Sequence, residues 1–199
     1  MIDKICTKFL RPVTVSMVAL AFAASLSAQA YPAAAKAPAA PAPNWKTYTY
    51  SADGFSASLP FEPQFSKRDV PTEKGSFELR AYLVEIGNAA LYVGVCDYGS
   101  AISDRSPDQV LDGAQQGAID NVKAHLVNGK KITFGVYQGR EFEADSDTMH
   151  FSARIYLVGT TLYQSLVAWP LGKPYVDTTR FLDSFQLIAR APAAAAPAH

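Results

Sequence analysis

The side chains best equipped for chemistry sit at alternate positions of one stretch, residues 150–169, HFSARIYLVGTTLYQSLVAW. Folded as a hairpin about Gly159-Thr160, it places His150, Ser152, Arg154, Tyr156, Tyr163, Ser165 and Trp169 on one face. A guanidinium among phenols, hydroxyls and an indole is a mixture enriched at binding surfaces. His150, Arg154, Tyr156, Tyr163 and Trp169 are therefore the candidate binding residues. The competing expectation is packing, in which rings and an arginine stem cover a helix or neighbouring strand while the charge reaches water. Packing is favoured, because an antiparallel sheet commonly keeps one mixed face. The other face, Phe151, Ala153, Ile155, Leu157, Leu162 and Leu166 with Gln164, is expected in the core.

A second set, Glu141, Glu143, Asp145, Asp147 and His150, raises divalent-cation binding, since hard cations favour clustered carboxylates. Asp145-Ser146-Asp147 lacks the third acid and the glycine of a calcium loop, and acids alternating on an outer strand ordinarily protect an edge. No metal site is expected. Nucleophilic hydrolysis needs a nucleophile, a nearby base and an oxyanion donor pair. The chain has no G-x-S-x-G and three histidines, His125, His150 and His199. An unrecognised hydrolase therefore ranks last. Paired carboxylates for glycoside hydrolysis cannot be judged without geometry. The glycines are scattered singly, so no phosphate loop and no cofactor are expected.

Strand patterns must position these groups. They fall at Lys46–Tyr50, Phe55–Leu59, Phe65–Val70, Ser76–Ile86, Ala89–Tyr98, Lys131–Val136, Glu141–Ala144, Met149–Val158 and Thr161–Trp169. A two-residue Gly87-Asn88 turn pairs Leu79 with Cys96, Ala81 with Gly94 and Leu83 with Tyr92, which puts the Cys96 thiol on an apolar face. The next hairpin is expected to turn through Tyr137-Gln138-Gly139, pairing Phe134 with Phe142 and Ile132 with Ala144. Two helices are expected. One starts with a capping box at Ser106-Pro107-Asp108-Gln109, carries an apolar stripe from Val110 to Leu126 and stops at Asn128-Gly129. The other covers about Tyr175 to Ser184 and buries Val176, Phe181, Leu182 and Phe185.

The ends of the chain carry a different message. Lys4, Lys8 and Arg11 precede an apolar run from Val13 to Leu26, and Ala28-Gln29-Ala30 fits a signal-peptidase site. Residues 1–30 are thus expected to be a Sec signal peptide cut after Ala30, leaving no membrane anchor. Residues 31–43 and 190–199 are Ala/Pro-rich, with nothing to bury, and are expected to be a linker and a tail without fixed structure. One domain is expected between them, 44–189. Removing Lys4, Lys8, Arg11 and Asp3 from eighteen residues of each sign leaves 15 cations against 17 anions. With no basic patch and no nucleic-acid motif, nucleic acid is excluded as a partner.

Three segments carry a likeness to a known family. Tyr50-Ser-Ala-Asp-Gly-Phe-Ser-Ala-Ser-Leu-Pro60, Arg154-Ile-Tyr-Leu-Val-Gly-Thr-Thr-Leu-Tyr163-Gln and Phe181-Leu-Asp-Ser-Phe185 resemble PsbP-like domains and their exported bacterial relatives. The likeness spans most of 44–189, and its motifs are structural. It implies an α+β fold, an antiparallel sheet of hairpins flanked by two helices in an α/β/α sandwich. It also implies non-catalytic work, docking on a larger assembly or a protein partner. The expected function is an exported periplasmic domain that binds or accompanies another envelope protein. A small-ligand or divalent-cation binding protein is the alternative.

Overall fold

The computed structural model describes residues 43–72 and 75–190. The expected signal peptide, the linker up to residue 42 and the tail beyond Arg190 lie outside the described residues. Among the described residues, ten strands and two α-helices follow one another as β1 (Lys46–Tyr50), β2 (Phe55–Leu59), β3 (Gln64–Thr72), β4 (Gly75–Ile86), β5 (Ala89–Asp97), α1 (Pro107–Asn121), β6 (His125–Phe134), β7 (Tyr137–Asp145), β8 (Met149–Val158), β9 (Thr161–Pro170), α2 (Thr178–Ser184) and β10 (Gln186–Leu187). Seven strands make one antiparallel sheet in the order β3-β4-β5-β9-β8-β7-β6, and β1-β2-β10 make a second, small one.

The large sheet buries both faces. Helix α1 closes one side over Leu79, Cys96, Phe142, Ala153, Ile155 and Leu162. On the other side the small sheet and α2 bring Phe55, Leu59, Phe181 and Phe185 against Tyr82, Val93, Tyr156 and Val167. The α+β class and the flanking helices agree with the sequence. The small sheet is an addition: β2 pairs with β1 on one side and β10 on the other, and the three share the α2 layer instead of joining the large sheet.

Helix α1 begins as expected. Ser106 Oγ accepts from Gln109 N–H, the Gln109 amide oxygen accepts from Ser106 N–H at 2.9 Å, and Pro107 opens the helix. Its end differs. Lys123 N–H donates to Asp120 C=O and Ala124 N–H to Ile119 C=O, a Schellman closure in which Lys123 adopts φ 53°. The helix therefore stops at Asn121, and Leu126 lies on β6 with 47% of its surface exposed. Asn128-Gly129, the expected stop, falls within that strand. A side chain is strained at this left-handed position. Lys123→Gly is expected to raise the unfolding free energy by roughly 0.5–1 kcal/mol, less than the strain itself because glycine also frees the unfolded chain. Urea denaturation of both proteins checks this.

Two further expectations are corrected. The β6–β7 hairpin turns at Gly135-Val136, so Phe134 faces Tyr137, Ile132 faces Gly139 and Gly129 faces Phe142. Gly135 supplies the positive φ of 59° that this tight turn uses. Gly139 is needed inside the strand instead. A Cβ there would lie 2.4 Å from Ile155 O and 2.7 Å from the Tyr156 ring. Helix α2 starts at Thr178, three residues later than expected, and Val176 is 90% exposed in the loop before it. The Gly87-Asn88 register and the burial of Cys96 agree with the sequence.

Candidate functional site

The β8–β9 hairpin has the expected faces, with Tyr156 opposite Tyr163, Arg154 opposite Ser165 and His150 opposite Trp169. Its polar-aromatic face turns towards α2 and the small sheet. Tyr156, Tyr163 and Trp169 are buried there and belong to the core. Tyr156 stacks nearly parallel to Phe185 with 6.0 Å between centroids and meets Phe134 edge-on at 5.7 Å. The Tyr163 hydroxyl donates to Asp53 C=O at 2.8 Å. Covering layers leave these three residues little surface for a partner, as the favoured packing expectation has it. Arg154 and His150 stand at the margin, half-buried.

Cross-strand register builds a charged ladder at that margin. Lys130, Glu141 and Arg154 occupy one row across β6, β7 and β8. Lys130 Nζ lies 2.7 Å from Glu141 Oε1, and Arg154 Nε donates to Glu141 Oε2 at 2.6 Å. Arg154 Nη1 donates to Asp183 Oδ1 on α2 at 2.7 Å, which ties the helix to the sheet. Burial pushes the Glu141 carboxyl up, but the Lys130 and Arg154 hydrogen bonds outweigh it and hold the group below its ordinary 4.5. A depressed folded value means this carboxylate adds stability above pH 4.5 and loses it as pH falls through the folded value. Glu141→Gln is expected to lower the urea midpoint at pH 7 and to shrink the drop below pH 4.5. Midpoints measured across that range check it.

The next row along the same face joins Asn128, Glu143 and Ser152, which line a shallow cleft beside the ladder. Beyond it, His150 Nδ1 lies 2.6 Å from Asp145 Oδ1, and the imidazole rests against the Trp169 ring at 4.6 Å. Among the described residues, no group of three or more His, Cys, Asp or Glu side chains converges on a point.

The sequence reading passed over two charged groups that the structure buries. Asp53, in the turn between β1 and β2, accepts a hydrogen bond from the Tyr82 hydroxyl and lies 2.9 Å from Arg80 Nε. Gly54 beside it has φ 76°, and a Cβ there would come within 2.8 Å of the Tyr163 hydroxyl. Asp53-Gly54 reads in sequence as an ordinary turn, and only the fold reveals what faces it. Arg140, buried on the α1 side, donates to Asp112 at 2.9 Å and to Asp108 at 2.5 Å, fastening the first turns of α1 to β7.

Burial and then the Asp53 contact raise the Tyr82 phenol far above its ordinary 10.0, and burial pushes Tyr50 up to about 12. A raised folded value means the protonated phenols contribute fully below pH 10.0, and the contribution is lost as pH rises through the folded value. Tyr82→Phe is expected to be less stable than wild type at pH 7 but to lose less between pH 10 and 12. Circular dichroism melts across that range test the prediction.

No family model matches the sequence, and no curated protein does. The fold has a known counterpart in the solution structure of cyanobacterial PsbP (CyanoP) from Synechocystis sp. PCC 6803. It is similar with a TM-score of 0.50 at 14% identity, covering 79% of this chain and 99% of that one. At that identity the likeness bears on the fold. The layers described above, one large antiparallel sheet between α1 and the α2 side, are the arrangement the three sequence segments implied. The protein has a PsbP-like fold.

Proposed function

We propose that residues 1–30 direct export, that the chain is cut after Ala30, and that the mature protein is a non-catalytic periplasmic domain binding another envelope protein. The observation that carries the non-catalytic part of this reading is how the reactive side chains are engaged. Asp53 holds Tyr82 and Arg80, Glu141 holds Lys130 and Arg154, and Asp145 holds His150. A general base or nucleophile has to meet a substrate within hydrogen-bond reach. These groups instead knit the layers of the fold together. The PsbP-like fold supports a docking role, and no helix among the described residues is long and apolar enough to cross a membrane.

Small-ligand binding is the second reading, favoured by one observation. Among the described residues the Glu143 carboxylate has no hydrogen bond or ion pair, and it lines the cleft between its cross-strand neighbours Asn128 and Ser152. A ligand selective for the folded state raises the melting temperature with the logarithm of its concentration once that exceeds Kd. The test joins both readings. The mature protein is recovered from its own envelope, its N-terminus is sequenced, and crosslinked complexes are purified. The expected result is a chain starting at Tyr31 with one stoichiometric protein partner. Retention in the cytoplasm, or a Tm rise with metabolites or calcium and no protein partner, would overturn the docking reading.

A further inference from the structure

Among the described residues, the large sheet ends in two unpaired edges, β3 and β6, and they differ in character. Strand β3 mixes signs, with Lys67 paired to Glu78 and Asp69 close by, and Pro71 lacks an N–H. Strand β6 carries His125, Lys130 and Lys131 and no acid. Exposed apolar side chains lie at its start, Leu126 and Val127 with 51% exposure, and just past its end at Val136 with 87%. A bulge leaves Val127 opposite no residue, so Asn128–Phe134 forms the regular part of the ladder. An open edge presents unpaired N–H and C=O groups that an extended segment can continue.

The charges decide what can sit there. Lys130 and Lys131 point to opposite faces of the sheet, where they reach Glu141 and Asp108. Both ammonium groups stay largely exposed while paired, so each can also meet a carboxylate on a further strand. A second copy of β6 in antiparallel register would set lysine near lysine, which is destabilising. An added strand with acids at two successive positions would meet one lysine on each face.

Resting on the docking reading above, we propose that β6 is the docking edge. It takes an extended segment of a partner protein as an eighth strand along Asn128–Phe134, with paired acidic residues against Lys130 and Lys131. The leftover apolar surface of Leu126 and Val136 brackets that seat at its two ends.

Hydrogen–deuterium exchange on the mature protein tests this with two synthetic peptides, TVTEEVTV and TVTKKVTV. The expected result is slowed exchange confined to residues 125–134 with the acidic peptide, and at least tenfold weaker binding of the basic one. Binding of the acidic peptide should weaken as salt rises and fall at least tenfold in Lys130→Glu/Lys131→Glu. Should that variant fold poorly beside Glu141 and Asp108, the wild-type salt dependence and the basic peptide still decide. Equal binding of both peptides, protection on β3, no protection by either, or a dimer protected along β6 would each overturn the proposal. A partner crosslinked in the envelope to β3 or to the α2 side, with β6 unprotected, would refute the edge assignment while sparing the docking reading.

Discussion

Asp53→Ala is expected to lower the unfolding free energy by about 3–5 kcal/mol, the range for breaking a buried ion pair from one side. The substitution leaves the Arg80 guanidinium, largely buried, without its carboxylate and the Tyr82 hydroxyl without its acceptor. Arg80 retains Glu78, with Nη1 at 3.3 Å, so the lower half of the range applies if that contact tightens. The backbone contact from the Tyr163 hydroxyl to Asp53 C=O survives the change, which keeps the turn in place and makes the loss chiefly electrostatic. Asp53→Asn separates the effects, since an amide can accept from Tyr82 but cannot neutralise Arg80. It is expected to fall between wild type and Asp53→Ala in urea denaturation. A loss under about 1 kcal/mol for Asp53→Ala, the range of exposed pairs, would contradict the buried network.

Phe55→Ala is expected to cost a further 3–5 kcal/mol or so by opening a cavity where three layers meet. Phe55 is fully buried. Its ring meets Tyr82 edge-on at 5.1 Å, stacks on Phe185 at 5.8 Å and lies 5.0 Å from Tyr50. Removing it unseats β2 from both the large sheet and the segment after α2, so the small sheet should exchange amide hydrogens faster than the large one. Asp53 and Phe55 both touch Tyr82, and their losses should not add. A double-mutant cycle is expected to show coupling of about 0.5–3 kcal/mol. Strict additivity would mean that the turn and the ring are held independently.

How much of this was legible in the sequence varies with the kind of information each element carries. Strands β8 and β9 declared themselves by strict alternation, and Gly87-Asn88 fixed its own register because a two-residue turn leaves no choice. The β6–β7 hairpin misled because Gly139 looks like a turn residue. Its smallness serves the Tyr156 ring lying across it from the next strand, a contact no local pattern encodes. The end of α1 was hidden for a related reason: Lys123 takes a left-handed conformation usually given to glycine, so the apolar stripe ran on to Leu126. For the candidate site, the two faces of the β8–β9 hairpin were legible, but what covers one of them was not. Tyr163 and Trp169 are buried by β1, β2, β10 and α2, elements more than a hundred residues away or following the hairpin through a loop. Asp53, in the turn of the small sheet, and Arg80, on the large one, lie 27 positions apart, and their pairing follows only from the stacking of those sheets.

A sealed packing face and a docking edge should respond differently to substitution, and one paired measurement tests that difference most directly. Arg154→Met and Lys130→Gln/Lys131→Gln variants of the mature protein are expressed in their own envelope. For each, Tm is recorded beside the amount of crosslinked partner per folded molecule. Arg154 ties β8 to Glu141 and Asp183, so its loss is expected to lower Tm and leave partner capture unchanged. The lysine variant is expected to lose most of its capture with a smaller change in Tm. The reverse pattern, capture lost with Arg154 and kept without the two lysines, would contradict the account and return the binding site to the β8–β9 face.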